Sequence, residues 1–188
     1  MKRSLLPAFL CLGLSACQPA SDAPICERTP DMPPGLKMEH YRGPTPACVP
    51  NAAMLDVPGL QALQRKEKPI LIDVWAILLR RETGFPSVWL PNEEHDSLPG
   101  AVWLPNVGYG KLEPDIETYL QHNLQHLTGG DKSKPLVFFC VADCWMSWNT
   151  AQRVREYGYT KVYWYKDGTD GWAEAGLPLS KANPVPLE

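Results

Sequence analysis

The segment Leu136-Val137-Phe138-Phe139-Cys140 has no polar face. Four apolar residues in succession are too few for a buried helix and too uniform for a strand that wets one side. The run therefore specifies a strand covered on both faces, as in a parallel sheet. It ends on Cys140, and Cys144 follows after three further residues. Ser147 then opens an amphipathic stretch, 147–157, that stops at Gly158. A strand–loop–helix junction of this kind aims the unpaired N–H groups of the first helical turn, with the positive end of the helix dipole, into the loop. A thiol held there sheds its proton more readily than a free cysteine. The loop is the candidate seat of any chemistry.

Other segments continue the alternation. Residues 57–66 read as a short helix with Pro58 in its first turn. Residues 69–74 form a β-branched apolar run, a buried strand, and 101–104 a second short strand entered through Leu98-Pro99-Gly100. The clearest helix spans 114–127: Ile116, Tyr119, Leu120, Leu124 and Leu127 share a face, acids crowd the first turn, and Gly129-Gly130 ends it. A last strand covers 161–165 and a final short helix 171–176, whereas 77–98 reads as irregular. This pattern predicts an α/β fold, a mostly parallel sheet of about five strands with helices on both faces. Ligands of such sheets bind beyond the C-terminal strand ends, where Cys140 lies.

The amino-terminal region places the chain in a compartment. Lys2 and Arg3 precede an apolar run from Leu5 to Leu14 that is too short to span a bilayer, and small residues lead to Cys17. Leu14-Ser15-Ala16-Cys17 resembles the bacterial lipobox, which implies a signal peptide over 1–16 and a lipidated Cys17 as the mature terminus. Gln18 after it implies sorting to the outer membrane. Acyl chains would anchor the protein, facing the periplasm, without a spanning helix. Eight prolines between Gln18 and Pro50 give a tether, 17–50, with no core of its own. The folded domain is expected over 51–182 and a tail over 183–188. Removing residues 1–16 leaves 172 and takes Lys2 and Arg3 with it, moving the formal charge from −3 to −5. An acidic surface argues against nucleic acid as a partner.

Of six cysteines, Cys11 leaves with the signal and Cys17 carries lipid. The four that remain, in an oxidising compartment, allow three pairings. Position favours Cys26 with Cys48 in the tether and leaves Cys140 and Cys144 as the working pair, with Cys26 and Cys48 free or paired elsewhere still open.

Several motifs then carry a family resemblance. Leu71-Ile72-Asp73-Val74, Leu98-Pro99-Gly100-Ala101, Cys140 at a strand end, Gly171-Trp172 and Ala175-Gly176-Leu177-Pro178 occur in the order found in rhodanese domains. From about residue 53 to 179 the chain resembles that family, whose sulfur-carrying cysteine corresponds to Cys140. A narrower resemblance rests on Ala142-Asp143-Cys144-Trp145-Met146-Ser147-Trp148-Asn149, Pro105-Asn106-Val107-Gly108-Tyr109-Gly110 and Asp167-Gly168-Thr169-Asp170-Gly171-Trp172. These are similar to rhodanese-like proteins named for a Cys-x-x-Cys-Trp motif and associated with pyrroloquinoline-quinone-dependent catabolism of alcohols. The name counts two residues between the cysteines; this chain has three. The resemblance implies no cofactor of its own, the quinone entering only through a partner: a periplasmic quinoprotein dehydrogenase or its cytochrome c.

Persulfide chemistry needs an accessible thiolate, donors for the terminal sulfur and a thiol acceptor. Cys140 supplies the first. N–H groups between Val141 and Ser147 would form an anion nest, and Cys144 would resolve the persulfide as a disulfide or accept its sulfur. Ser147 is placed as N-cap or anion donor. Against this, the loop Val141, Ala142, Asp143, Trp145, Met146, Ser147 holds no Arg or Lys, and Asp143 opposes thiolate formation. The substrate would be a small sulfur or thiol compound. Met146 six residues after Cys140 removes the Cys-x5-Arg phosphate clamp, which excludes phosphatase chemistry. The competing reading is a non-catalytic accessory that docks through a tryptophan-rich surface. His122 and His126, four apart on the long helix, read as a solvated surface rather than a metal site, so no metal is expected. His95 reads as a loop histidine without a role, Asp73 as a loop-bracing carboxylate, and 167–170 as turn chemistry at the cleft rim.

Overall fold

Leu136–Phe139 (β7) is the middle strand of a five-stranded parallel sheet in the computed structural model, which describes residues 26–30 and 32–187. The strand order is β1 (Ala53–Leu55), β8 (Val162–Tyr165), β7, β2 (Ile70–Asp73), β6 (Val102–Trp103). Every pairing is parallel, with Ile72 opposite Phe138 on one side and Val102 on the other. Alternation along β7 feeds two cores. Leu136 and Phe138 join Leu120, Leu124, Trp148 and Val154 beneath α2 (Pro114–Thr128) and α3 (Trp145–Glu156). Val137 and Phe139 join Leu60, Leu63 and Trp172 beneath α1 (Val57–Glu67) and α4 (Gly168–Glu174). Both faces are covered, which is why the strand carries no polar residue.

Local signals set the element ends. The Asp56 side chain accepts the Gly59 N–H at 2.8 Å as the N-cap of α1. Gly129 closes α2 at φ 65°, a conformation costly for a side-chain-bearing residue. Helix α3 begins two residues earlier than its sequence pattern indicates, so Cys144 and not Ser147 is its N-cap.

The region read as irregular contains a hairpin of β3 (Leu78–Arg80) and β4 (Val88–Leu90), followed by β5 (His95–Ser97), which pairs antiparallel with β9 (Ser180–Ala182). Three-residue strands in two-stranded ladders are too short to leave a period-two signal. The tail also departs from expectation. Val185 donates its N–H to Trp103 O at 2.9 Å, and Val185 O accepts from Trp89 Nε1 and the Tyr119 hydroxyl. It covers the outer edge of β6, a two-residue strand that would otherwise present unpaired backbone.

The largest correction concerns the tether. Residues 26–50 form no independent spacer but a strap packed on α3. Met32 and Val49 are buried in the α2–α3 core, and Cys26 is bonded to Cys48. Asn149, fully buried, accepts the Lys37 N–H at 2.7 Å and donates to Lys37 O and Gly108 O. Trp148 Nε1 donates to Cys48 O, and Arg28 to Gln152 Oε1. Prolines deny the strap internal secondary structure, so its backbone groups find partners on the helix side chains instead. Residues 1–16, Cys17 and the rest of the tether to Ile25 lie outside the described residues.

Candidate active site

Cys140 follows β7 directly and Cys144 caps α3, so the loop between them is the strand–helix junction of the central strand. The two sulfurs stand 2.6 Å apart, with Cys140 Sγ the donor and Cys144 Sγ the acceptor. Closing that gap to a disulfide of ~2.05 Å requires a movement of about half an ångström. Both residues are buried, Cys140 at 1% and Cys144 at 2% exposure, so Cys140 is not the accessible thiolate its place at the strand end suggests.

Their acidities diverge. The thiol hydrogen bond from Cys140 holds Cys144 down to about 7 against the opposing effect of burial, with help from the Met146 N–H and the Arg42 guanidinium. Burial pushes Cys140 well up, and the neighbouring Cys144 sulfur and Asp73 add to it. Both effects favour the anion on Cys144, at the helix cap, over Cys140.

The loop is held from two sides. Asp170 on α4 accepts the Ala142 N–H at 3.1 Å, and Thr169 N donates to Cys140 O at 2.9 Å. Gly168, at φ 59°, lies so close that a Cβ would meet Cys140 O at 2.4 Å. The strap closes the opposite side: Trp145 N donates to Tyr41 O at 2.9 Å and Gly43 N to Asp143 O at 3.0 Å. Asp143 itself adopts φ 52°. The expected anion nest is thus largely spent. Ala142 and Trp145 N–H groups serve Asp170 and Tyr41, leaving Val141 N–H toward the Cys140 sulfur and Met146 N–H toward Cys144. Ser147 is also committed, its hydroxyl donating to Cys144 O and accepting from Trp164 Nε1, so it is free neither to cap nor to hold an anion. Trp145 stacks edge-on against Trp148 under the Lys37 ammonium, and Met146 is buried against Gly108.

Asp73 is fully buried behind the dithiol. Its Oδ1 accepts the Trp75 N–H, bracing the loop as expected, and its Oδ2 takes Ser97 Oγ at 2.6 Å and His95 Nε2 at 2.7 Å. His95, read as idle, is therefore tied to the sheet end and stacks on Trp103. Because Ser97 donates to the carboxylate, this trio is structural and not a nucleophile–base relay. His122 and His126 line a surface cavity of about 420 Å³ with Tyr119 and Pro186. Among the described residues no cluster of three or more His, Cys, Asp or Glu has the arrangement of a metal site. The tryptophans are not a surface: Trp103, Trp148 and Trp164 are fully buried. Sequence reasoning missed Arg42, Tyr41 and Gly43, which reach the loop from about 100 residues away and carry no local signal.

A parallel sheet around a central β7, with one cysteine after that strand's C-terminal end and a second capping the next helix, defines an α/β domain with a dithiol at its strand ends. The sequence pattern of the rhodanese-like domain matches residues 56–175, and the chain belongs to that family. Thiosulfate sulfurtransferase GlpE of Actinobacillus pleuropneumoniae serotype 5b (strain L20) is 40% identical over 82 residues, 44% of this chain and 62% of the relative. GlpE of Glaesserella parasuis serovar 5 (strain SH0165) is 32% identical over 85 residues, 45% of this chain and 65% of that relative. The chain spans just under two thirds of these relatives' length. Among solved structures, the polysulfide-sulfur transferase homodimer of Wolinella succinogenes aligns with 71% of this chain and 80% of its own, at 21% identity and TM-score 0.44.

Proposed function

We propose that this chain is a rhodanese-like dithiol protein, facing the periplasm, that acts by thiol redox or sulfane-sulfur transfer at Cys140 and Cys144. The observation that carries the reading is the 2.6 Å contact of two free cysteines at the C-terminal edge of the central strand. The sulfurtransferase names of the relatives support it.

In the proposed cycle the Cys144 thiolate attacks the sulfane sulfur of a donor. A bond from Cys144 to that sulfur forms, the donor's sulfur bond breaks, and its electron pair leaves with the remainder of the donor. Cys140 then attacks Cys144, passing its proton to the departing sulfur. The disulfide forms and hydrosulfide leaves, so two cysteines lose two electrons and the sulfane sulfur gains them. A dithiol of the compartment restores the pair by two exchanges. The family resemblance gives Cys140 the carrier role and Cys144 the resolving role; the relative acidities favour the opposite order. Burial of both sulfurs, with Asp170 on the Ala142 N–H and no basic residue within the loop, disfavours a dianion such as thiosulfate and favours a small neutral or singly charged sulfur compound.

With a low-molecular-weight persulfide, Cys140→Ser is expected to accumulate a stable adduct on Cys144, read by peptide mass, while Cys144→Ser stays unmodified near pH 7. An adduct confined to Cys140 in Cys144→Ser would restore the family order, and no adduct in either variant would contradict sulfur transfer.

The cellular setting is part of the same proposal: a signal peptide over 1–16, lipid on Cys17, anchoring in the outer membrane, and association with pyrroloquinoline-quinone-dependent alcohol catabolism. Its support is the lipobox-like run and the Cys-Trp motif resemblance. A second reading, a non-catalytic accessory docking on a quinoprotein dehydrogenase or cytochrome c, is favoured by the hairpin, where Leu78, Phe85 and Val88 stand exposed. If Cys140→Ser leaves alcohol-dependent growth intact while deletion abolishes it, the accessory reading replaces the catalytic one.

A further inference from the structure

The active-site loop carries three hydrogen-bonded constraints from the strap but no cation of its own. Arg42 sits in an antiparallel bridge opposite Cys144, flanked by the Gly43–Asp143 and Tyr41–Trp145 backbone hydrogen bonds. Those two bonds set the strap's register so that the residue facing the cap of α3 is the arginine. Its Nη1 donates to Ala142 O at 2.9 Å, inside the loop, and its guanidinium lies 5.8 Å from the Trp75 ring centre, which limits its swing. The strap is itself fastened by Cys26–Cys48 and by Asn149.

We propose that Arg42, carried on the strap, is the positioning residue that sets a positive charge against the Cys140–Cys144 loop at the cap of α3, in place of the basic residue the loop lacks. The inference rests on the dithiol reading and adds a third element to it, so that the working unit begins at the strap and not at residue 51.

The charges that face Cys144 are few. Cys140 approaches from β7 and Asp73 from β2 behind it, while Asp143 and Asp170 flank the loop. Tyr109 faces it from the 106–110 loop, with Tyr41 stacked on that ring, and Lys37 lies over Trp145. The carboxylates oppose a thiolate, and Lys37 is spent against the indole. Arg42 is the cation that reaches the loop, through Ala142 O, and its charge adds to the Cys140 thiol and the Met146 N–H in favouring an anion at the helix end. It is also solvent-exposed on its outer side, so salt should weaken it.

The test is the pH profile of Cys144 alkylation by iodoacetamide in reduced protein, resolved by peptide mass. Arg42→Gln keeps a hydrogen-bond donor but removes the charge, and it is expected to move the midpoint up by about one pH unit. Arg42→Lys should restore it to within a few tenths. Equal displacement by both variants, or none by Arg42→Gln, would overturn the proposal. Should Arg42→Gln lose its fold, the native protein still decides: raising salt from about 0.05 to 0.5 M must raise the midpoint if the exposed Arg42 charge acts on the thiol. A midpoint that falls, as dominance of Asp143 and Asp170 would require, or one that does not move, overturns it as well. Failure of the dithiol reading looks different, since Cys144 would then be unreactive near neutral pH in the unaltered protein.

Discussion

Cys144 carries a consequence for stability as well as reactivity. Its folded acidity is held at about 7, below that of an unfolded cysteine, so the reduced fold gains stability as pH rises from 7 toward 9 and loses it as pH falls through 7. Cys140, displaced upward by burial, withdraws stability above pH 9. Urea unfolding of reduced protein should give a higher midpoint at pH 8.5 than at pH 6.5, and Cys144→Ser should flatten the difference. A flat profile in the unaltered protein would contradict the assignment of the anion. Gly168 offers a second check at this scale. Its φ of 59° and the 2.4 Å approach to Cys140 O mean that Gly168→Ala must displace either α4 or the loop. Gly168→Ala should cost at least about 2 kcal/mol, measured by the same unfolding, and should slow Cys144 alkylation. Cys140 and Cys144 were legible in the sequence because a strand end and a helix start are local patterns. Their order of acidity was not, because it depends on which of them caps α3 and on an arginine about 100 residues away.

At the scale of elements, the strap is the least expected piece. Eight prolines and few apolar residues point to a spacer, and the reading fails because stability here comes from backbone groups meeting α3 side chains rather than from a core of the strap's own. Asn149 is the hub of that arrangement, with three hydrogen bonds and no exposed surface. Asn149→Ala should destabilise the protein by about 2–4 kcal/mol and should speed alkylation of Cys144, since the strap covers the loop. A loss under about 0.5 kcal/mol with unchanged reactivity would show the strap to be a passive cover. The sheet strands β2, β7 and β8 were readable because burial on both faces leaves uninterrupted apolar runs. The pairs β3–β4 and β5–β9 were not, since three-residue ladders at the periphery depend on partners distant in sequence. The early start of α3 was hidden for a related reason: Trp145 and Met146 are apolar residues in its first turn, where polar caps are the usual signal.

For the whole molecule, a rhodanese-like sheet covered by helices on both faces places one loop at its working end, and the amino-terminal strap closes that end. Among the described residues, three of the five exposed large apolar side chains sit on a different element, the β3–β4 hairpin, with Phe85 at 71% and Leu78 at 59% exposure, while Met38 lies on the strap and Tyr109 beside the loop. Separation of the two features makes them independently testable. Phe85→Ser should change stability by no more than about 0.5 kcal/mol and leave Cys144 alkylation unchanged, while weakening any docking on a dehydrogenase measured by co-purification. The central claim, that Cys140 and Cys144 form a reversible working dithiol, is met most directly by equilibrating the protein in glutathione buffers of graded potential and mapping cysteines by mass. The account predicts that Cys140 and Cys144 interconvert between two thiols and one disulfide over that range while Cys26–Cys48 stays closed. Two thiols that never pair at any potential would contradict it.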